Sequence, residues 1–134
     1  MITRTPSILV PISPGELIDK ITILEIKSER IVDAAKLQHV RTELAALRTA
    51  GQQTLEPTER LRGLTVELRA VNEALWEIED AIRLCEREED FGPRFIELAR
   101  SVYHQNDKRA ALKRQINELL GSELVEEKAY RVYG

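Results

Sequence analysis

"PISPGELIDKITILEIK", residues 11–27, decides the fold, because "ITILEI" alternates like a strand while "SPGELIDKI" opens like a helix. Ser13 stands as an N-cap, Pro14 occupies the first helical position where a missing N–H does no harm, and Glu16 completes a capping box. These signals select the helix. Leu17, Ile21, Leu24 and Ile31 then recur at helical spacing as a core stripe, with Ser28 filling the one polar gap. Ahead of Ser13, "MITRTPSILVPIS" contains Pro6 and Pro11 and a short β-branched run. It reads as an extended arm, residues 1–13, expected to pack along the body.

Beyond Lys27 no Gly or Pro interrupts the chain up to Ala50, yet Leu37, Val40, Leu44 and Leu47 are about one residue out of phase with the first stripe. Asp33 offers a second N-cap. Residues 14–50 are therefore expected to form a kinked helix pair, broken near Val32 and Asp33, followed by a loop through Pro57. From Thr58 to Glu89 the apolar positions Leu61, Leu64, Leu68, Val71, Leu75, Ile78, Ile82 and Cys85 alternate three and four apart, a heptad seam. "DFGPRF" ends that helix, and the next runs over residues 93–120 with Phe95, Leu98, Val102, Leu112, Ile116 and Leu120 inward and Gly121 as its stop. The tail, residues 122–134, is expected to fold back as a short helix or strand through Leu124, Tyr130 and Tyr133.

The whole chain of 134 residues reads as one all-α domain: an elongated antiparallel bundle of three to four long helices with an extended N-terminal arm and a short C-terminal tail. Few glycines, prolines and aromatics, with 32% charged and 43% hydrophobic residues, agree with a bundle rather than a sandwich or barrel. A net charge of −3 disfavours nucleic acid. No apolar run approaches a membrane span, and the start of the chain lacks the pattern of a signal peptide, so a cytoplasmic location is expected. The single Cys85 sits in the seam and reads as a buried small hydrophobe.

Several polar groups invite a functional reading. Glu73, Glu77 and Asp80 have the spacing of helix-borne Mg²⁺ carboxylates in all-α nucleoside triphosphate pyrophosphatases, but they point away from the seam and read as a solvated face. His39 and His104 lack ligand partners at metal spacing, so neither a metal nor a cofactor is expected. Asn72, Trp76, Glu79 and Arg83 each follow a seam position and border the core. Glu16, Lys20 and Lys27 form a similar row on the first helix, and Asn106, Arg109 and Lys113 intrude into the inward wedge of the last. Charges in such places need partners or a ligand.

Two functions follow. The first is an interaction or oligomerisation module, a homodimer or a binder of a protein partner, using the first helix and the seam around Leu61 to Leu68, where Gly63 permits close approach. The second is a binder of a small anionic ligand, phosphorylated or carboxylated, or an enzyme acting on one. Its pocket would be lined by Lys20, Lys27, Asn72, Arg83, Asn106, Arg109 and Lys113, with Glu79 as the candidate general base. If Arg109 is structural instead, its expected partner is Glu79 or Glu16.

"PISPGELIDKITILEIK", "ELRAVNEALWEIEDAIR", "FIELARSVYHQNDKRAALKRQIN" and "GSELVEEKAYRVY" resemble a small bacterial and phage family of unknown function. The resemblance covers well over half the chain and implies a free-standing or appended domain, with similar segments attached to glycosyltransferase-type or repeat proteins. It brings no site residues. "LIDKITILEIKSER" is also similar to the opening helix of all-helical chorismate mutases, but Glu16 and Leu17 stand where those enzymes carry an arginine. Only Arg30 and Lys36 fall roughly in register.

Overall fold

The computed structural model describes residues 4–129 and residue 131, and it holds four helices: α1 (Pro14–Arg30), α2 (Ala34–Thr54), α3 (Glu59–Arg87) and α4 (Pro93–Leu119). The first three begin where the chain supplies a side-chain cap, and α4 begins at Gly92 with Pro93 in its first turn. Ser13 Oγ accepts the Glu16 N–H at 3.1 Å, Asp33 Oδ2 accepts the Lys36 N–H at 2.9 Å, and Thr58 Oγ1 accepts the Leu61 N–H at 3.1 Å. The break between α1 and α2 is a full interruption, with Ile31 and Asp33 in extended conformation. α4 ends in a Schellman motif: Gly121, at φ 64°, permits Ser122 N–H to reach Asn117 O at 2.8 Å.

α2 continues four residues past the expected Ala50, through Gly51 to Thr54. Gly51 faces α1, where a Cβ would sit in ordinary van der Waals contact, 3.7 Å from Ile21 Cδ1 and 3.8 Å from Leu17 Cδ2. Packing of α2 on α1 carries the helix past this glycine despite its poor helix propensity.

α1 is the hub of the bundle. It packs on α2, α3 and α4, α3 packs on α4, and α2 rests on α1 only. Pairing of Asp19 with Arg109 and of Gly15 with Asn117 sets α1 antiparallel to α4, while Asp19–Asn72 and Arg30–Glu77 set it parallel to α3. The stripe of Ile21, Leu24 and Ile31 faces α2 and closes a core with Val40, Leu44 and Leu47. A second face of α1 carries Gly15, Ile18, Asp19, Thr22 and Ile26, all buried. There Ile18 joins Leu61, Leu64, Leu68 and Ile116 in the main core. Burying both faces gives this short helix its position between two layers.

Unequal lengths shape the rod. At 1.5 Å per residue α1 is about 26 Å long, against about 44 Å for α3. The ion pair of Arg30 with Glu77 at 2.5 Å marks the level at which α1 ends, so residues 78–87 and the facing part of α4 project beyond it for about 15 Å. The seam reflects this. Leu61, Leu64 and Leu68 are buried, whereas Val71, Leu75, Ile78 and Ile82 are only half-buried. Cys85 near the tip is buried, as a small hydrophobe would be.

The arm does not pack along the body: Ile8, Leu9 and Val10 are 80%, 93% and 64% exposed. Only its base is near other chain, where Pro11, Ile12 and Ser13 border a depression with Leu124, Val125 and Glu126 of the tail. The tail forms neither helix nor strand among the described residues, and the expected anchors Tyr130 and Tyr133 lie outside them. Its hold on the body is polar, through Glu126 and Lys113 at 2.7 Å.

Candidate functional site

Asp19 organises the polar interior. Its side chain is 1% exposed, and its Oδ1 accepts from Arg109 Nε at 2.9 Å and from Asn72 Nδ2 at 2.9 Å. Arg109 Nη2 donates to the other oxygen, making a two-pronged pair across α1 and α4. Asn72 Nδ2 also donates to Thr22 Oγ1 at 2.9 Å, and that hydroxyl donates to the Asp19 carbonyl at 2.8 Å. The hydrogen bond to Asp19 holds the Arg109 pKa above its ordinary value, against the opposing effect of burial.

The partner expected for Arg109 was Glu79 or Glu16; it is Asp19 instead. Glu79 pairs loosely with Arg83 on its own helix, at 3.6 Å. Glu16 pairs with Lys113 at 2.7 Å, and Lys113 reaches Glu126 at the same distance. Burial lowers the Lys113 pKa, but its hydrogen bonds to Glu126 and Glu16 more than offset this and leave it raised. Next to this pair the Gly15 N–H donates to Asn117 Oδ1 at 2.7 Å.

Above the Asp19 network lies an open groove of about 480 Å³ at the junction of three helices. Asn72 and Arg109 form its polar floor, Ile23, Ile26, Leu75 and Trp76 its apolar walls, and Glu79, Asp80 and Arg83 its charged rim. Asn72 Nδ2 must face the Asp19 carboxylate, so Asn72 Oδ1 is left without a donor among the described residues. Arg109 likewise keeps Nη1 unspent.

The bordering row of α3, Asn72, Trp76, Glu79 and Arg83, therefore lines one groove with Arg109. The other nominated residues do not. Lys113 is buried one turn further along α4, Lys20 is an exposed partner of Glu16 at 3.9 Å, and Lys27 and Asn106 are half-buried away from the groove lining. Asp19 and Thr22 were missed. The signal that could have found them is the second stripe at Gly15, Ile18, Asp19, Thr22 and Ile26, which helical spacing places on one face.

Glu73 and Glu77 are surface residues paired with Arg69 and Arg30, and Asp80 stands at the groove rim. Among the described residues no cluster of three His, Cys, Asp or Glu side chains could hold a metal ion, and no helix is long and apolar enough to cross a membrane.

A family of unknown function (DUF6165) matches residues 8–133, and the chain belongs to it. No curated protein and no solved structure matches the chain.

Proposed function

We propose that the chain is an interaction module that works as a homodimer, with the distal α3–α4 hairpin as its contact face. The observation that supports this is the overhang beyond Arg30. There Leu84, Phe91, Ile96 and Tyr103 are 41%, 51%, 55% and 42% exposed, while Ile78 and Ile82 of the seam are only half covered. The sequence suggested α1 and Leu61 to Leu68 as the interface. Those leucines fill the internal core with Ile18 and Ile116, so we place the contact face at the far end instead.

A second copy suits this face because the opposite end of the rod also carries exposed apolar side chains, those of Ile8, Leu9 and Val10 in the arm. Two rods side by side and antiparallel bring each arm toward the hairpin of its partner in one closed, two-fold contact. Ile96→Glu and Leu84→Glu alter exposed side chains and leave the core intact. Each should convert the dimer to a folded monomer in sedimentation runs; a dimer unchanged by both would remove the hairpin from the interface.

A second reading, a small anionic ligand held at an interhelical pocket, is favoured by the Asn72–Arg109 groove. Arg109 and Lys113 are each matched by carboxylates, so Arg83 is the rim cation left for an anion.

A further inference from the structure

The floor of the groove has a directional polarity that narrows its ligand. Both hydrogens of Asn72 Nδ2 are spent, one on Asp19 and one on Thr22, so the amide presents only an acceptor, Oδ1. Arg109 spends Nε–H and one Nη2 hydrogen on Asp19, and what it has left, at Nη1 and Nη2, is donors only. The two groups are neighbours, because each donates to the same Oδ1 of Asp19 at 2.9 Å. They are also fixed, since Asn72 is 6% exposed and Asp19 lies fully inside. A ligand that satisfies this floor carries an N–H beside a carbonyl oxygen on one edge. An anion alone leaves Asn72 Oδ1 without a donor, and a cation alone leaves the remaining Arg109 donors without an acceptor.

The walls add shape. Trp76, Ile23, Ile26 and Leu75 enclose the floor with apolar surface, suited to the faces of a planar ring. The volume of about 480 Å³ falls in the range of small-molecule sites, roughly 300–1,000 Å³. At the rim Arg83 is 81% exposed at its side chain and only loosely held by Glu79, which leaves its guanidinium available to a phosphate.

Resting on the second reading above, we infer that the groove binds a planar nitrogen heterocycle with a ring N–H beside a carbonyl, as in a uridine or guanosine phosphate. Asn72 Oδ1 accepts the ring N–H, Arg109 donates to the carbonyl, Trp76 lies against the ring, and Arg83 takes the phosphate. The residues of the proposed dimer face, Leu84, Phe91, Ile96 and Tyr103, do not line this groove, so the two sites are separable.

Trp76 is the only tryptophan, and its indole N–H therefore gives a single nuclear magnetic resonance signal at the groove wall. Titration with uridine 5′-monophosphate and with guanosine 5′-monophosphate should shift that signal to saturation. 3-Methyluridine 5′-monophosphate, which lacks the ring N–H, should bind about ten- to a hundredfold more weakly, because Asn72 Oδ1 is then left unpaired. Arg83→Gln should weaken uridine 5′-monophosphate about tenfold and leave uridine itself unchanged. Methylated and unmethylated nucleotides binding equally would overturn the inference. So would an equal response to ribose 5-phosphate, which would leave the anion reading standing without the base. An indole signal unmoved by every probe at millimolar concentration would overturn both.

Discussion

Arg109 on α4 and Asp19 on α1 form a two-pronged ion pair in which the acid is 1% exposed and the base 30% exposed at their side chains. The asymmetry fixes which loss matters. Removing Arg109 leaves a carboxylate inside the bundle with only Asn72 to satisfy it, whereas removing both charges leaves two apolar side chains in a space already walled by Ile26. Arg109→Leu should destabilise the fold by about 3–5 kcal/mol in urea unfolding, and Asp19→Leu added to it should recover most of that loss. Equal stability of the single variant and the parent would show that the pair does not hold α1 to α4.

Lys113 governs the tail through Glu126. The hydrogen bond from Lys113 holds the Glu126 pKa below its ordinary value of 4.5. A lowered pKa in the folded state means that this attachment is fully present above pH 4.5 and is lost as pH falls through the folded-state value. Lys113, raised above its ordinary 10.5, acts at the other extreme: its contribution is complete below that value and fades as pH rises past it. Protection of residues 123–128 from hydrogen exchange, taken relative to the intrinsic rate at each pH, should thus be greatest between these limits and fall in acid. Glu126→Gln should show the lowered protection already at neutral pH.

Gly15 lies at a close contact between α1 and α4. A Cβ there would stand 2.5 Å from the Lys113 carbonyl oxygen and 2.9 Å from Asn117 Oδ1, and the first of these is backbone that cannot rotate away. Gly15→Ala should therefore cost about 1–3 kcal/mol despite the better helix propensity of alanine, by forcing the helices apart. Thermal unfolding checks the sign: a rise in Tm would mean that the gap between α1 and α4 is wider than the contact implies.

How much of this was legible in the sequence depends on whether a signal is local. Ser13, Asp33 and Thr58 act on backbone three residues away, so the starts of α1, α2 and α3 could be read directly. The row Asn72, Trp76, Glu79 and Arg83 was also legible, because its offset from an unbroken seam fixes its direction. Asp19 was not. One apolar stripe on α1 accounts for one neighbour, and with Ile21, Leu24 and Ile31 assigned to the core, Asp19 falls on the opposite side of the helix, to which that stripe assigns no role. That face is buried because α1 has three neighbours, a property of the assembled bundle that no window of α1 contains. The extension of α2 through Gly51 and the exposed arm have the same origin, since contact with α1 favours the one and no surface receives the other.

The most direct measurement is the mass of the purified chain by sedimentation equilibrium at micromolar concentration, for the parent and for Ile96→Glu. A dimer closed through the distal hairpin predicts twice the 15.3 kDa chain mass for the parent and a folded species of 15.3 kDa for the variant. A parent that sediments at 15.3 kDa across that range would contradict the proposal that this bundle works as a homodimer.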